Sequence, residues 1–120
     1  MYMDIQIIDT ETCKPVPDIW VEIWHTNSTG VCSGIVSSTN GVGGVDPSNV
    51  FNTFRRGLQK TNAQGVVWFG SKLNGHYSGR SPHIHIMTHV AGTAALANGT
   101  IENNIATHAF VENKQDPYFH

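Results

Sequence analysis

The segment HIHIMTH at residues 83–89 alternates strictly, and this alternation constrains the fold more than any other feature of the sequence. Successive side chains of a β-strand point to opposite faces. One face of the predicted strand therefore carries His83, His85, Met87 and His89, and the other carries Ile84, Ile86 and Thr88. A strand with a histidine stripe on one face and an apolar stripe on the other predicts a sheet that is buried on one side only.

Other short segments predict further strands that are separated by Gly, Pro and Asn. They are MDIQIID at 3–9, IWVEIWH at 19–25, FRRGLQKT at 54–61, VVWFG at 66–70 and THAFVEN at 107–113. The turn NAQG at 62–65 predicts that its two flanking strands form a hairpin. We expect residues 26–52 to form a long loop, and residues 91–107 a loop or a short helix. The pattern predicts an all-β domain.

Length and charge limit the organisation and the partners of the chain. A chain of 120 residues has room for one domain. Seven basic and nine acidic side chains give a net charge of −2, which provides no positive field for nucleic acid or an anionic membrane. No apolar stretch reaches the roughly 20 residues of a membrane span, and a strand-like run rather than a signal-peptide pattern follows Met1. We therefore expect neither nucleic acid nor membrane as a partner.

The triplets Asn27-Ser28-Thr29 and Asn98-Gly99-Thr100 match the N-glycosylation pattern and favour an extracellular, secreted protein. The two cysteines, Cys13 and Cys32, allow one disulfide at most, and the sequence does not say whether it forms.

His83 and His85 are the sharpest chemical feature, because a period of two points both imidazoles to the same side of a strand, close enough to bind one metal ion. The alternative is that they are hydrogen-bonded surface or core residues.

Tyr77 and Arg80 lie on a Gly-flanked loop just before this strand. A tyrosinate is a hard oxygen donor suited to a ferric ion, and a guanidinium stabilises an oxyanion. The alternative interpretation is that neither residue takes part in chemistry: Tyr77 packs against the end of the sandwich, and Arg80 pairs with a surface carboxylate.

Three runs, CKPVPDIWVEIWHTNSTGVCSG at 13–34, FRRGLQKTNAQGVVWF at 54–69 and GHYSGRSPHIHI at 75–86, resemble the intradiol ring-cleaving dioxygenases, particularly their secreted fungal branch. The resemblance covers most of residues 3–89. It implies a transthyretin-like β-sandwich that binds one non-haem ferric ion, Fe(3+), through two Tyr and two His. Such enzymes are oxidoreductases of aromatic compound catabolism. They insert both atoms of O2 between the hydroxylated carbons of a catechol-type substrate, giving a cis,cis-muconate.

The resemblance also implies roles for individual residues. Tyr77, His83 and His85 match metal ligands, and Tyr77 matches the tyrosinate that leaves the iron when the catechol binds. Arg80 matches the arginine that stabilises the substrate anion beside the metal.

The main departure is Cys32, which stands where the family pattern WHxNxxGxYSG has its other tyrosine ligand. A cysteine sulfur reaches only about 3 Å from its Cα, compared with roughly 6.5 Å for a tyrosine oxygen. Sulfur is also a soft donor that favours zinc or copper(I). We expect either a His-His-Tyr site completed by water or a Cys32 that is not a ligand.

A second departure is Thr26, which replaces a cysteine that would pair with Cys13 in the family. A Cys13–Cys32 bridge is the remaining possibility, and it requires Cα atoms within about 7 Å.

The resemblance further implies segments before the first strand and after the last one. We therefore interpret residues 1–120 as a single intradiol dioxygenase-like domain that lacks the N- and C-terminal extensions of the family. The exposed sheet edge favours either a fragment or a homo-oligomer.

Two functions remain open: an iron-dependent intradiol dioxygenase, or a catalytically degenerate relative that binds a metal or an aromatic small molecule without ring cleavage. Among the other candidates, we expect His25 to be packed or capping and His76 to lie outside the site. We expect His89 to lie nearer the rim, and Gln59 is a candidate for the pocket wall.

Overall fold

The computed structural model describes residues 1–41, 45–90, 94–95, 101–102 and 105–112, and these residues form an all-β fold of antiparallel strands. The strands are β1 (Tyr2–Gln6), β2 (Trp20–His25), β3 (Arg56–Lys60), β4 (Val66–Gly70), β5 (His83–Val90), β6 (Ala94–Ala95), β7 (Ile101–Glu102) and β8 (Ile105–Glu112). The predicted fold class is confirmed, and each of the six segments predicted as strands overlaps one.

Two sheets pack face to face as a β-sandwich. The larger has four strands in the order β3-β2-β5-β8, and the smaller pairs β1 with β4. β6 and β7 pair with each other between β5 and β8 in sequence. The expectation of a loop or short helix at 91–107 is therefore wrong for these strands and for the start of β8. Antiparallel pairing supplies backbone hydrogen bonds there that the side-chain pattern did not indicate. The rest of the predicted segment, at 91–93, 96–100 and 103–104, lies outside the described residues.

The core lies between the two sheets. Alternate residues of β2 and β4 face it, and the buried cluster consists of Val21, Ile23, Val67 and Phe69. Apolar side chains from β1, its following residues and β5 pack against this cluster, namely Met3, Ile5, Ile7, Ile84 and Ile86. The isoleucine face of β5 therefore points into the sandwich, which leaves its histidine face on the outer side of the four-stranded sheet.

The predicted hairpin between β3 and β4 is wrong. The turn itself forms, since Gly65 N–H donates to the Asn62 carbonyl at 2.9 Å and Gly65 has a φ of +71°. However, β3 pairs with β2, whereas β4 pairs with β1. Val67 and Phe69 must face β2 across the core, so β4 belongs to the opposite layer, and the turn carries the chain from one sheet to the other.

The long segment between β2 and β3 has one short element, a 3-10 helix at Pro47–Phe51. Asp46 caps it by accepting a hydrogen bond from Ser48 N–H at 2.9 Å. The prediction of a long loop holds for the rest of what the structure describes there. Within the described ranges, no helix has the length and apolar character needed to cross a membrane.

Candidate metal centre

β5 places His83 and His85 on the outer face of the four-stranded sheet, as their spacing predicts. Their ring centroids are 5.0 Å apart. His83 is buried, with 4% of its surface exposed, and His85 is half-buried. The two imidazoles are therefore neighbours at one end of β5.

Hydrogen bonds around His83 indicate which ring nitrogen can act as a ligand. His83 Nδ1 lies 2.8 Å from the Ser81 carbonyl oxygen. A carbonyl only accepts hydrogen bonds, so Nδ1 carries the proton and the neutral ring keeps a lone pair on Nε2. The Tyr77 hydroxyl lies 3.0 Å from this Nε2 and is able to donate to it. A backbone carbonyl that fixes the far nitrogen is the usual outer partner of a metal-binding histidine.

The loop that carries Tyr77 folds as a tight turn. Arg80 N–H donates to the Tyr77 carbonyl at 3.0 Å, and Gly79 takes a φ of +79°, a conformation that glycine adopts without steric cost. Asn74 ties the start of the loop to β5 through a 3.0 Å hydrogen bond to the His83 carbonyl. The guanidinium carbon of Arg80 lies 5.9 Å from the centroid of the Tyr77 ring. The turn therefore holds the Tyr77 phenol beside His83 and places the Arg80 guanidinium next to the phenol ring.

Two glycines let this loop approach the segment that carries Cys32. A Cβ on Gly30 would lie 1.9 Å from the His76 carbonyl oxygen, and a Cβ on Gly75 would lie 2.5 Å from the Ser28 carbonyl oxygen. The backbones of the two loops are thus in direct contact. Gly75 N–H also donates to the Asn27 carbonyl at 2.8 Å. This contact fixes Tyr77 relative to the loop at 26–34.

Cys32 is a buried free thiol whose backbone is held by two asparagines. Asn40 Oδ1 accepts from Cys32 N–H at 2.7 Å, and Asn40 Nδ2 donates back to the Cys32 carbonyl at 2.9 Å. Buried Asn49 donates to the same carbonyl at 2.7 Å. Cys13 is exposed and also free, so no bridge joins the two cysteines.

Cys32, Tyr77 and His85 line one small cavity. Its volume is about 160 Å³, and the other lining residues are Trp24, Ile35, Ser37, Thr39 and Asn40. Burial raises the pKa of the Tyr77 phenol above its ordinary value, although the nearby charge of Arg80 opposes this shift and Cys32 adds to it. Burial likewise raises the pKa of the Cys32 thiol, and the positive charge of Arg56 opposes that shift. Both groups are therefore protonated at neutral pH in the metal-free chain.

The donor set suits one metal ion of the hard or borderline kind. In the part of the chain that the structure describes, no three His, Cys, Asp or Glu side chains lie close enough together to hold a metal ion. The Tyr77 phenol is an oxygen donor beside His83. Ligand atoms about 2.1 Å from one ion, at angles of about 90–110°, lie about 3.0–3.4 Å apart. The 3.0 Å separation of Tyr77 Oη and His83 Nε2 matches this spacing.

Other histidines occupy different environments. His25 is completely buried, with Nδ1 2.7 Å from the Thr26 carbonyl and Nε2 2.9 Å from the Ser71 hydroxyl. It is therefore packed, as expected, and His76 is exposed outside the cavity.

Two expectations need correction. His89 does not lie at an open rim, because it is 4% exposed and its Nε2 lies 3.2 Å from Glu22 Oε2. Gln59 does not line the cavity, because its register partner is Val21 and directly opposite residues share a face, which puts Gln59 on the core side of the sheet.

The sequence reasoning missed the residues that surround the candidate ligands. Asn40 and Asn49 hold Cys32, whereas Arg56 and Trp24 contact the same region from the sheet. The position of Trp24 on the outer face was predictable from the sequence, since Trp24 alternates with the buried residues of β2. The roles of Asn40 and Asn49 were not predictable, because hydrogen bonds between loop segments produce no periodic pattern in the sequence.

Comparisons with known proteins agree with the fold. No protein-family model matches the chain, and no curated protein matches it. Among solved structures, an intradiol ring-cleavage dioxygenase from Tetranychus urticae is 33% identical with a TM-score of 0.62, over 79% of this chain and 47% of that one. A second solved dioxygenase is 35% identical with a TM-score of 0.61, over 78% of this chain and 47% of its own length.

A third similar structure is the dioxygenase domain of a fusion with a carbohydrate-binding protein from the cellulolytic bacterium Streptomyces sp. SirexAA-E. It is 17% identical with a TM-score of 0.57, over 97% of this chain and 57% of that one, and it supports the fold alone. The chain spans about half the length of these solved structures. The chain thus has the antiparallel β-sandwich of the intradiol ring-cleavage dioxygenases, and its 33% identity to the Tetranychus urticae enzyme supports a place in that family.

Proposed function

We propose that the chain binds one non-haem ferric ion through Tyr77, His83 and His85 and cleaves catechol-type rings between their two hydroxylated carbons with O2. The observation that carries the proposal is the 3.0 Å separation of Tyr77 Oη and His83 Nε2, beside a cavity lined by Tyr77 and His85. Two imidazoles and a phenolate are a donor set that suits ferric iron.

A bound ferric ion would supply Lewis-acid polarisation of the two catechol oxygens. His83 and His85 would hold the ion as neutral ligands, and the Ser81 carbonyl keeps the proton of His83 on Nδ1. Tyr77 would hold the ion through Oη, and the same oxygen is able to accept a proton from a catechol hydroxyl.

Arg80 stabilises charge on the substrate, and the cavity wall orients the substrate ring. Arg80 lies next to the Tyr77 ring, where its fixed positive charge stabilises the anionic substrate. Trp24 and Ile35 form an apolar part of the cavity wall, which orients a flat ring and excludes water.

The second candidate function is binding of a metal or an aromatic small molecule without ring cleavage. Cys32 favours it, because this residue takes the place of the second tyrosine in the family pattern. A free, buried thiol with a raised pKa is a poor ligand for ferric iron at that position.

The experiment that separates the two candidates is Cys32→Tyr. Restoring a phenol to the cavity should increase iron content, tyrosinate absorption and O2-dependent formation of a muconate from catechol. Cys13→Tyr is the matched control, because Cys13 is exposed and does not line the cavity. If Cys32→Tyr gains neither iron nor activity, the placement of Cys32 beside the metal is wrong.

We further propose that the protein is secreted, that residues 1–120 act as one domain and that the chain associates with a second copy. The glycosylation triplet at Asn27 supports secretion, since Ser28 and Thr29 are exposed. Expression in a secretory eukaryotic host should yield a glycan on Asn27, and light scattering measures the oligomeric state.

A further inference from the structure

We propose that Arg56 is a positioning residue for His85 and acts through the indole of Trp24. The proposal rests on the proposed function in one respect, namely that His85 is a metal ligand. The contact between the three side chains does not depend on that function.

The sheet places these residues in one row. Trp24 of β2 is the register partner of Arg56 on β3 and of His85 on β5. Directly opposite residues of antiparallel strands share a face. Arg56, Trp24 and His85 therefore stand side by side across three neighbouring strands, on the outer face of the sheet.

The side chains in this row contact one another. The guanidinium carbon of Arg56 lies 4.6 Å from the centroid of the Trp24 ring. The Trp24 and His85 ring centroids are 5.1 Å apart, with the planes inclined at 39°. The Trp24 indole thus neighbours both the guanidinium and the candidate ligand. We expect a change at Arg56 to reach the His85 imidazole through this one side chain.

Within the described part of the chain, no hydrogen bond holds the Trp24 indole. Trp24 Nε1 is buried and has no hydrogen-bond partner among the residues that the structure describes. The orientation of the ring therefore depends on packing, and a guanidinium above an aromatic face is attracted to the negative π-surface of the ring. Removing that cation leaves the indole without its charged contact.

Arg56 is itself held in place from two directions. Its Nη1 lies 3.9 Å from Glu22 Oε1, and the other carboxylate oxygen of Glu22 lies 3.2 Å from His89 Nε2. On the loop side, a Cβ on Gly34 would lie 3.4 Å from Arg56 Nη2. Glu22 and the backbone at Gly34 therefore confine the guanidinium to the space above Trp24.

The expected consequence concerns the metal. Outer groups that orient a ligand typically change metal affinity by about 10–100-fold when they are replaced. Arg56→Met keeps the length of the side chain but removes its charge. We expect this variant to bind ferric iron about 10–100-fold more weakly than the parent chain.

The test measures iron affinity and, in the metal-free protein, the imidazole NMR resonances of His85. Arg56→Met should shift the His85 resonances and leave those of buried His25 in place. Arg56→Lys, which keeps the cation, should restore part of the affinity, and Glu22→Gln should weaken binding in the same direction. Lys60→Met is the matched control, since Lys60 lies on the same strand but pairs with Asp18 at 3.5 Å.

The outcomes are distinguishable. Shifted His85 resonances with weaker iron binding support the proposal. Unchanged His85 resonances, or iron affinity equal to that of Lys60→Met, overturn it. If the parent chain binds no iron at all, the proposed function fails, and the His85 resonances alone decide whether Arg56 positions this side chain.

Discussion

The Tyr77 hydroxyl lies 3.0 Å from Nε2 of His83, at a separation that two ligands of one metal ion would have. The two residues come from different segments, a glycine-containing turn and the start of β5. Three hydrogen bonds to backbone carbonyls bring them together: Arg80 N–H donates to Tyr77, Asn74 Nδ2 to His83 and His83 Nδ1 to Ser81. The metal-free chain therefore holds this pair in place through its own hydrogen bonds.

Tyr77→Phe should abolish visible tyrosinate absorption and weaken iron binding, because it removes the oxygen ligand and keeps the ring. The lost hydrogen bond should cost about 0.5–1.5 kcal/mol in the free energy of unfolding. Absorption spectra and iron titration measure the first effect, and urea denaturation measures the second. Tyr2→Phe is the control, since Tyr2 is 85% exposed. Visible absorption that persists in Tyr77→Phe would assign the colour to another group.

Gly30→Ala should destabilise the protein more than Gly79→Ala. Both glycines have a positive φ, which costs an alanine about 1–2 kcal/mol. At Gly79 the new methyl group meets open space, whereas at Gly30 it would lie 1.9 Å from the His76 carbonyl oxygen. The loops at 26–34 and 74–80 would have to separate, which would displace Tyr77. Thermal unfolding and iron binding compare the two variants, and equal effects would show that the loop contact is unimportant.

Phe69→Ala should reduce the free energy of unfolding by about 3–5 kcal/mol, the usual range for deleting a buried phenylalanine. Phe69 packs in the core cluster between the sheets, whereas its neighbour Trp68 points outward and is 59% exposed. Trp68→Ala should therefore change stability by about 0.5 kcal/mol or less. Denaturant unfolding of both variants tests the two-layer arrangement, and the opposite ranking would invert the faces of β4.

His25 should make the protein less stable in mild acid. Burial lowers the pKa of His25 below its ordinary value of 6.5, an effect that the Thr26 carbonyl opposes and the charge of Arg55 reinforces. The unfolded state therefore binds a proton more readily than the folded state. Neutral His25 therefore contributes fully to the free energy of unfolding above pH 6.5. This contribution is lost as the pH falls from 6.5 through the pKa of His25 in the folded state.

The measurement is the pH dependence of the free energy of unfolding from about pH 7.5 to about pH 5, in the parent and in His25→Gln. The glutamine variant should have a flatter profile, because it cannot titrate. Parallel profiles would mean that His25 does not contribute to acid sensitivity.

The sequence predicted strands best where one face of a segment is buried. Met3, Ile5 and Ile7 alternate with polar residues, and they pack against the core as their period requires. The same reasoning separated Ile84 and Ile86 from the histidine face of β5. It failed for the pairing of β3 with β4, because a turn sequence specifies local backbone geometry and does not determine which sheet each flanking strand joins.

The candidate site was predictable to a similar extent. The spacing of His83 and His85 predicted a shared face, and the structure places their rings 5.0 Å apart. The position of Cys32 beside Tyr77 depends on Asn40, Asn49 and the contact at Gly30, which are interactions between distant loop segments. The packing of Arg56 on Trp24 depends on strand register, which single-sequence patterns do not encode.

The most direct test of the account is the metal content and visible spectrum of the unmodified chain after reconstitution with iron in air. The account predicts iron bound in a one-to-one ratio and a visible absorption band from tyrosinate coordinated to ferric iron. A colourless protein that retains zinc or no metal would contradict it.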